Sequence, residues 1–351
     1  MLYTLQYGRA FAALLVVYAH LSGFVQFSPL VNSRIGDFGV DIFFVISGFI
    51  MWTTSSESSI IDFWLRRMIR IAPIYWIYTL LLIALALFPG RLAPNVDVTP
   101  EAVAKSLFFI PYFNGRSGIQ PLLLQGWTLN LEVYFYFVFG LALLLPKLMR
   151  LFFLIVVFVL AVSLGTLHLA DNALYLTYTE AMILEFLFGI GIAALLPWLS
   201  MGLGAAAALV AFSILAFAVV SFNSTLELPR FLAYGLPSMV FIAGLVSLEP
   251  LAHRRPVKAL ALIGDASYSL YLSHPFVLKI VAVAFGNAGI GAADSAPTAI
   301  IFAIVAMPIA VVFSILSYQL IERPLGRALG ATLVGRRGNL VPASAEKGGV
   351  I

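Results

Sequence analysis

Long apolar stretches dominate the chain, and mostly short polar connections separate them. A helix that crosses a bilayer needs about 20 mostly apolar residues, and about ten segments come close to that length. These segments are Ala10–Phe27, Phe38–Thr53, Ala72–Phe88, Trp127–Leu145, Leu151–Leu167, Ala181–Leu199, Leu203–Phe222, Phe231–Leu248, Leu260–Phe285 and Thr298–Ile321. The pattern predicts an all-α fold, a polytopic bundle of about ten transmembrane helices.

One connection is longer than the others and runs from Pro89 to Gly126. Within it, Thr99–Phe113 is predicted to form a short interfacial or re-entrant helix. After Gly330 the composition turns polar and contains Gly and Ser, which is typical of a disordered segment. We therefore expect one transmembrane domain over residues 1–330 and a disordered cytoplasmic tail over residues 331–351.

The composition also favours a lipid environment. Of the 351 residues, 62% are hydrophobic and only 10% are charged, whereas soluble domains carry about 25% charged residues. The sequence has no Cys, which excludes disulfides, thiolate metal ligands and a Cys nucleophile. The four His residues lie far apart in the sequence, so no metal site is expected. Nucleic acid is not expected as a partner either.

Lys and Arg residues are distributed unevenly between the two ends of the predicted spans. With the N-terminus in the cytoplasm, the cytoplasmic side holds Arg9, Arg66, Arg67, Arg70, Lys147, Arg150, Arg254, Arg255, Lys258, Arg323, Arg327, Arg336, Arg337 and Lys347. The outer side then holds only Arg34, Arg91, Lys105, Arg116 and Arg230. Because positive charge is concentrated in cytoplasmic loops, we predict an even number of spans with both termini in the cytoplasm.

Arg9 and His20 lie in the first apolar helix, where ionisable groups are costly and are often functional. Eleven residues make about three helical turns, so both side chains project from one face, roughly 16 Å apart along the axis. A guanidinium suits a phosphate, and an imidazole suits proton transfer near neutral pH. The pair predicts a long cytoplasmic donor such as coenzyme A. The alternative is that His20 only forms hydrogen bonds between helices.

Arg66, Arg67 and Arg70 lie close together just before the third predicted span. Orientation of the helix by positive charge is one explanation of this cluster. The other is that the three guanidinium groups bind the phosphates of a nucleotide-bearing donor at the same cytoplasmic mouth as Arg9.

Two carboxylates lie within predicted spans. Asp41 has about the same predicted depth as His20, so it is a candidate to hold the imidazole tautomer; otherwise it is a helix-start Asp. Glu132 is a candidate alternative base or acceptor-binding group on the outer side, and otherwise it forms hydrogen bonds between helices. Asn130 and Tyr134, on the same helix, are candidate acceptor-binding residues, although aromatic side chains there can also be interface anchors.

The ninth predicted span is unusually polar. It contains Tyr271 and His274, and Pro275 frees a backbone carbonyl, which suggests a kink that lines a cavity. We expect Tyr271 and His274 to bind substrate. Catalysis is assigned to His20 because His274 has no phosphate partner at a matched distance.

The ordered set of motifs resembles membrane acyltransferase family 3, bacterial enzymes that O-acylate extracytoplasmic sugars. The resemblance covers about Leu5 to Arg327. The motifs are Arg9-x10-His20, Gly39–Phe49, Phe63–Tyr75, Trp127–Tyr136, Gly264–Pro275 and Glu322-Arg323-Pro324. The size and single-domain layout resemble the exopolysaccharide production acetyltransferases of this family.

This resemblance implies a multi-pass enzyme of the bacterial inner membrane with acetyl-coenzyme A, or another short acyl-coenzyme A, as donor. The acceptor it implies is a polysaccharide or a lipid-linked oligosaccharide. It also implies that His20 is essential and that Arg9, Arg66, Arg67 and Arg70 bind the donor. Two routes follow: His20 acts as general base for a sugar hydroxyl, or His20 is acylated first.

Two other classes of function are open to the sequence. Intramembrane carboxylates and His also mark transporters, here a flippase for a lipid-linked glycan. However, no paired broken helices stand at corresponding positions of two halves. A structural subunit of a glycan export complex would be inactive alone and insensitive to substitution of His20.

Overall fold

The computed structural model describes residues 2–21, 23–24, 34–54, 59–87, 96–115, 118–198, 201–223, 228–289 and 295–334. Almost all of these residues are helical. The α-helices are α1 (Tyr3–Leu21), α2 (Phe38–Thr54), α3 (Ile60–Leu87), α4 (Pro100–Leu107), α5 (Gly126–Ala142), α6 (Lys147–Gly165), α7 (Ala173–Tyr178), α8 (Leu184–Leu195), α9 (Leu203–Phe222), α10 (Leu236–Ser247), α11 (Glu249–Arg254), α12 (Lys258–Asp265), α13 (Ser267–Asn287), α14 (Ala296–Ser317) and α15 (Arg323–Leu333).

Shorter elements connect or extend these helices. Turns of 3₁₀-helix occur at Arg34–Asp37, Ala181–Ile183 and Leu196–Trp198, and π-helical turns occur at Phe231–Gly235 and Tyr318–Glu322. A small antiparallel hairpin pairs β1 (Phe113–Asn114) with β2 (Gly118–Ile119), Phe113 opposite Ile119. Helix α15 continues to Leu333, and residues 335–351 of the predicted tail lie outside the described residues.

Several helical segments could cross a membrane. Within the described residues, six are long and apolar enough, namely Ile60–Leu87, Lys147–Gly165, Ala173–Trp198, Leu203–Phe222, Ser267–Asn287 and Pro297–Leu333, and two shorter helices, Phe38–Thr54 and Phe231–Ser247, are apolar. Large apolar side chains such as Phe152, Phe212 and Ile304 point outward and are at least 60% exposed, as lipid-facing side chains are. A helical membrane protein is confirmed, while ten spans and cytoplasmic termini stay predictions.

The predicted helix at Thr99–Phe113 is shorter in the structure. Thr99 caps α4 by accepting a hydrogen bond from the Ala102 amide at 3.1 Å, which is the usual role of a threonine at this position. The helix ends at Leu107, and Phe109 adopts a positive φ of 58°. A left-handed backbone stops the helix there, and the hairpin leads the chain on to α5.

Helix α1 is central in the bundle, packed among α2, α10, α12 and α13. Close approach is possible because small residues face it. A Cβ added to Gly39 of α2 would lie 2.4 Å from the Ala12 carbonyl oxygen, and one added to Gly264 of α12 would lie 2.1 Å from that of Gln6. Small residues at such crossings let backbones meet in membrane bundles. This packing places both ionisable groups of α1 inside the protein.

Candidate functional site

The N-terminus of α1 is fixed by a carboxylate from another helix. Glu249 of α11 accepts hydrogen bonds from the Tyr3 amide at 2.9 Å, the Thr4 amide at 2.8 Å and the Thr4 hydroxyl at 2.7 Å. An acidic side chain there satisfies free amide groups and complements the helix dipole. The anchor sets the position of α1, and therefore of Arg9 and His20.

Arg9 opens onto the cavity that we call the inner cavity. This cavity has a volume of about 430 Å³, which lies within the range of small-molecule sites. Its polar walls come from Arg9, Ser47, Arg67, Arg70, Glu132, Tyr136, Asp265, Ser267, Tyr268, Tyr271 and Tyr318. By the predicted orientation, it lies toward the cytoplasmic ends of the helices.

The four predicted donor-binding arginines differ in how available they are. Arg70 is paired with Glu322 at 3.1 Å, and this carboxylate also accepts from the Ser269 hydroxyl at 2.6 Å. Arg9 donates only to Gln6, at 3.3 Å, and Arg67 Nε has no partner among the described residues. Neither Arg9 nor Arg67 forms an ion pair within the described part of the chain.

Arg66 departs from the expected cluster because its side chain is exposed and does not line the inner cavity. Successive positions on a helix point about 100° apart, so Arg66 turns outward while Arg67 turns inward.

Glu132 lies in the inner cavity, not at the outer side where acceptor binding was expected. The Tyr136 hydroxyl donates a short hydrogen bond to Oε1 of Glu132, and the Ser47 hydroxyl donates to the same atom at 3.3 Å. With two donors, this carboxylate is satisfied inside the bundle. The expectation of an outer acceptor-binding Glu132 is therefore wrong about its position.

His20 opens onto a second space, the outer cavity, of about 150 Å³. Its walls come from Val16, Ala19, His20, Gly36, Asp37, Val40, Leu124, Gln125, Trp127, Arg230 and Tyr271. Val40 and Tyr271 line both cavities. The continuous space expected along α1 is thus divided in two, and the Tyr271 side chain stands at the boundary.

Tyr271 is held firmly at that boundary. Its hydroxyl lies 2.7 Å from the Thr128 hydroxyl and donates to the Gln125 carbonyl at 3.2 Å. Substrate binding by Tyr271 stays a prediction, and the residue lines both cavities instead of one.

His274 lies directly against His20. The two imidazole rings meet edge to face, with centroids 4.6 Å apart and an interplanar angle of 68°. Nδ1 of His20 is 2.8 Å from the Val16 carbonyl, and Nδ1 of His274 is 3.0 Å from the Leu270 carbonyl. A carbonyl can only accept, so each Nδ1 carries a hydrogen, and in the neutral form of each ring Nε2 carries the lone pair. Nε2 of His20 is therefore available as a base or a nucleophile.

The structure places Asp41 against a different partner from the one expected. Its Oδ2 accepts from Nη2 of Arg230 at 2.8 Å, and its side chain is fully buried. Nδ1 of His20 is bonded to a backbone carbonyl instead. The expectation that Asp41 orients this imidazole is thus corrected.

Asn130 and Tyr134 lie away from both cavities. Asn130 is buried in α5, and the Tyr134 ring packs on Tyr178 with centroids 4.7 Å apart. On a helix, only one face can meet a cavity, and in α5 that face carries Thr128, Leu129, Glu132 and Tyr136. Neither residue is placed to contact a substrate in the cavities.

Arg230 and Glu185, which the sequence analysis did not select, lie at or beside the outer cavity. Arg230 was counted only as an outer loop charge, yet it lines the outer cavity beside His20. Glu185 lies in the sixth predicted span and is fully buried. An acidic residue within an apolar span was the available signal for Glu185, whereas only packing reveals Arg230.

A third cavity, of about 700 Å³, lies between the segment around α4 and the start of α7. Its polar walls come from Asp97, Thr99, Glu101, Lys105, Tyr112, Asn114, Asp171 and Asn172. Glu101 accepts from Lys105 Nζ at 2.5 Å, and this ammonium group holds the pKa of Glu101 below its usual value. The predicted orientation puts this cavity on the outer side.

The chain is similar to known acyltransferases over most of its length. The family model described as "Acyltransferase domain" matches residues 2–318. The exopolysaccharide production protein ExoZ of Rhizobium meliloti (strain 1021) is 40% identical over 316 residues, which cover 86% of this chain and 95% of that protein. The acyltransferase MdmB of Streptomyces mycarofaciens is 25% identical over 360 residues, with 92% and 91% covered. No solved structure matches.

Proposed function

Because the chain belongs to this acyltransferase family, we propose that it moves an acetyl or other short acyl group from cytoplasmic acyl-coenzyme A to a sugar hydroxyl. The acceptor is an extracytoplasmic or lipid-linked polysaccharide, and the membrane is the bacterial inner membrane. The observation that carries the proposal is the pair of adjoining cavities along α1, with guanidinium groups in one and an available imidazole in the other.

The inner cavity supplies the donor site. Coenzyme A carries phosphate groups, and a guanidinium binds phosphate through strong charge-assisted hydrogen bonds. Arg9 and Arg67 line the cavity without a carboxylate partner among the described residues, so they are the groups that bind these phosphates. Arg70 contributes less because Glu322 already neutralises it at 3.1 Å.

Acyl transfer takes place in the outer cavity. The pantetheine arm passes Val40 and Tyr271, and the thioester then lies beside Nε2 of His20. In one route, Nε2 takes the proton of the sugar hydroxyl as its oxygen attacks the thioester carbon, and the proton passes to the leaving sulfur. In the other, Nε2 attacks first and the C–S bond breaks to release the thiolate; the sugar oxygen then attacks the acyl carbon, the bond to Nε2 breaks, and the hydroxyl proton passes to the thiolate. An acetylated His20 peptide, trapped in the absence of acceptor and detected by mass spectrometry, separates the second route from the first.

Two observations support a polysaccharide acceptor. The Rhizobium relative is named for exopolysaccharide production. The third cavity also presents carboxylates, amides and the Tyr112 ring, and these groups bind sugar hydroxyls and stack on sugar faces. A sugar chain held there would extend toward the outer cavity.

The test is transfer of a labelled acetyl group by the purified protein in detergent. Wild-type protein with radiolabelled acetyl-coenzyme A and an exopolysaccharide fragment is expected to place label on the sugar. His20→Ala is expected to lower the rate by about 10³-fold, as loss of a general base or nucleophile does. His253→Ala is the matched control because that His is exposed in α11.

Two outcomes would contradict the proposal. Full activity of a folded His20→Ala protein would remove His20 from the reaction. Movement of unmodified glycan across a vesicle membrane, without any labelled sugar, would identify a transporter instead.

A further inference from the structure

Arg230 is the centre of a buried charged cluster at the outer end of the bundle. Its Nη2 donates to Asp41 at 2.8 Å and lies 3.5 Å from the Asp37 carbonyl. Its guanidinium carbon lies 4.9 Å from the centroid of the Tyr234 ring, in the π-helical turn that begins at the next residue. These contacts come from two helices and fix the guanidinium in one place.

Glu185 completes the cluster from α8. The Glu185 carboxyl group interacts electrostatically with that of Asp41, both residues are fully buried, and neither Glu185 oxygen has a hydrogen-bond partner within the described residues. A Cβ added to Gly235 would lie 3.1 Å from Oε1 of Glu185, so this side chain packs tightly beside the same π-helical turn. Two adjacent buried carboxyl groups cannot both be charged at low cost. With one of the two carboxyl groups protonated, the Arg230 cation leaves the cluster electrically neutral.

This arrangement exceeds what an ordinary ion pair needs. One carboxylate would neutralise Arg230, and the second carboxyl group adds further rigidity. Arg230 also lines the outer cavity with His20, and it is the only positively charged side chain that does so among the described residues. Its Nε, with one hydrogen to donate, has no partner within the described part of the chain.

Acyl transfer from a thioester creates negative charge in that cavity. When a nucleophile attacks the carbonyl carbon, the C=O electron pair moves to oxygen and a tetrahedral oxyanion forms. When the C–S bond breaks, the pair returns, the C=O bond re-forms and the thiolate leaves; in both routes the thiolate ends with the proton that the sugar hydroxyl releases. A fixed donor aimed at the developing charge is often the largest single contribution to catalysis.

We propose that Arg230 is the catalytic residue that stabilises this oxyanion, and that Asp41 and Glu185 are positioning residues that hold its guanidinium. The inference rests on the proposed acyl transfer, but it applies to both routes because sugar hydroxyl and His20 attack give the same kind of oxyanion. The donor phosphates bind in the other cavity and are not contacted by Arg230.

The test uses the Asp41→Asn/Arg230→Met double variant of the full chain. Removing Arg230 alone leaves a buried carboxylate without its cation and is strongly destabilising, whereas replacing both partners is tolerated far better. The double variant removes one charge of each sign and leaves Glu185 protonated. With acetyl-coenzyme A, kcat is expected to fall by about 10²–10³-fold, with the KM for the donor within about threefold of wild type.

A second readout separates oxyanion stabilisation from a structural role. Fluoroacetyl-coenzyme A has nearly the same shape as acetyl-coenzyme A, but fluorine withdraws electrons and stabilises the oxyanion without help from the protein. The ratio of fluoroacetyl to acetyl transfer rates is therefore expected to be higher in the variant than in wild type. If the double variant does not fold, the ratio of fluoroacetyl to acetyl transfer rates is measured in Arg230→Lys, which keeps the positive charge.

Arg150→Met is the matched control. Arg150 is also buried, donates to the Leu145 carbonyl at 3.2 Å and lines neither the inner nor the outer cavity. The acetyl transfer rate and the ratio of fluoroacetyl to acetyl transfer are therefore both expected to match wild type. A double variant that transfers acetyl at the wild-type rate, or an unchanged fluoroacetyl ratio in a slow variant, would overturn the role of Arg230. A wild-type protein that transfers no acyl group would overturn the proposed function and this role with it.

Discussion

The inner and outer cavities lie along the same helix, yet different kinds of side chain line them. The inner cavity is about 430 Å³ and carries three guanidinium groups, two carboxylates and several hydroxyls on its walls. The outer cavity is about 150 Å³, and its walls carry a single guanidinium group, that of Arg230, together with His20 and Asp37. A roomy polar space suits binding of a large anionic ligand. A narrow space that excludes water strengthens each electrostatic interaction within it and suits chemistry.

In the proposed mechanism, donor binding and reaction are therefore separated by about three helical turns of α1. Arg9 of α1 faces the inner cavity, and His20 faces the outer one. A donor with its phosphates far from its thioester can occupy both at once. Substitutions in the inner cavity should therefore change the KM for the donor, and substitutions in the outer cavity should change kcat.

The largest effect is expected from a substitution that disturbs both cavities together. A Cβ added to Gly48 of α2 would lie 2.0 Å from the Phe186 carbonyl oxygen of α8, so Gly48→Ala must push the helices apart. We expect a loss of about 3 kcal/mol in the free energy of unfolding, typical of a severe overpacking, and loss of transfer. Thermal unfolding in detergent measures the first and labelled-acetyl transfer the second.

Gly191→Ala is the matched control in α8, since nothing lies within 4 Å of its added Cβ. We expect its melting temperature and activity to equal those of wild type or to rise slightly because Ala favours helix over Gly. An unchanged melting temperature for Gly48→Ala would show that the helices do not approach as closely as described.

A smaller, selective effect is expected in the inner cavity. Arg67→Gln and Arg9→Gln each remove a charge-assisted contact to phosphate, which contributes about 1.5–3 kcal/mol, so the KM for acetyl-coenzyme A should rise about 10–100-fold. The value of kcat should stay near wild type, because His20 and Arg230 are untouched. Steady-state kinetics with varied donor concentration measures both constants.

Arg66→Gln is the control for this pair because the exposed Arg66 side chain lies outside the inner cavity. An equal rise in KM for Arg66→Gln would mean that surface charge attracts the donor without a specific site. A fall in kcat at constant KM for Arg67→Gln would contradict the separation of binding from chemistry.

The smallest effect is expected at the boundary between the cavities. Tyr271→Phe keeps the ring but removes the hydroxyl that contacts Thr128 and the Gln125 carbonyl. Loss of this contact costs about 1 kcal/mol, so a decrease of a few-fold in kcat/KM is expected. Comparison of acetyl- and butyryl-coenzyme A in the transfer assay would show whether the looser ring also admits longer acyl groups. A rate identical to wild type with both donors would show that the ring alone forms the boundary.

Much of the fold could be predicted from the sequence because apolar length is a direct physical requirement. Each predicted span overlaps helix in the described residues, although several run past the helix ends or are broken, as by the π-helical turn at Phe231–Gly235. The end of α4 could not be predicted, since the left-handed backbone at Phe109 occurs at a residue that gives no local signal for it.

The candidate site was only partly predictable. Helical spacing placed Arg9 and His20 on one helix, and both turn inward to cavities in the structure. Spacing could not show that Arg70 is already paired with Glu322, or that Asp41 pairs with Arg230 from 189 residues away. Contacts between distant segments have no signature in a single sequence.

The sequence by itself determined the helical membrane architecture, the family and the line of Arg9 and His20 along α1, because these depend on hydropathy, motif order and helix periodicity. Only the tertiary structure decided which charges neutralise each other, that His274 packs on His20, and that Tyr271 divides the space in two. The physical reason is that a buried charge needs a partner in space, and that partner is chosen by how the helices pack.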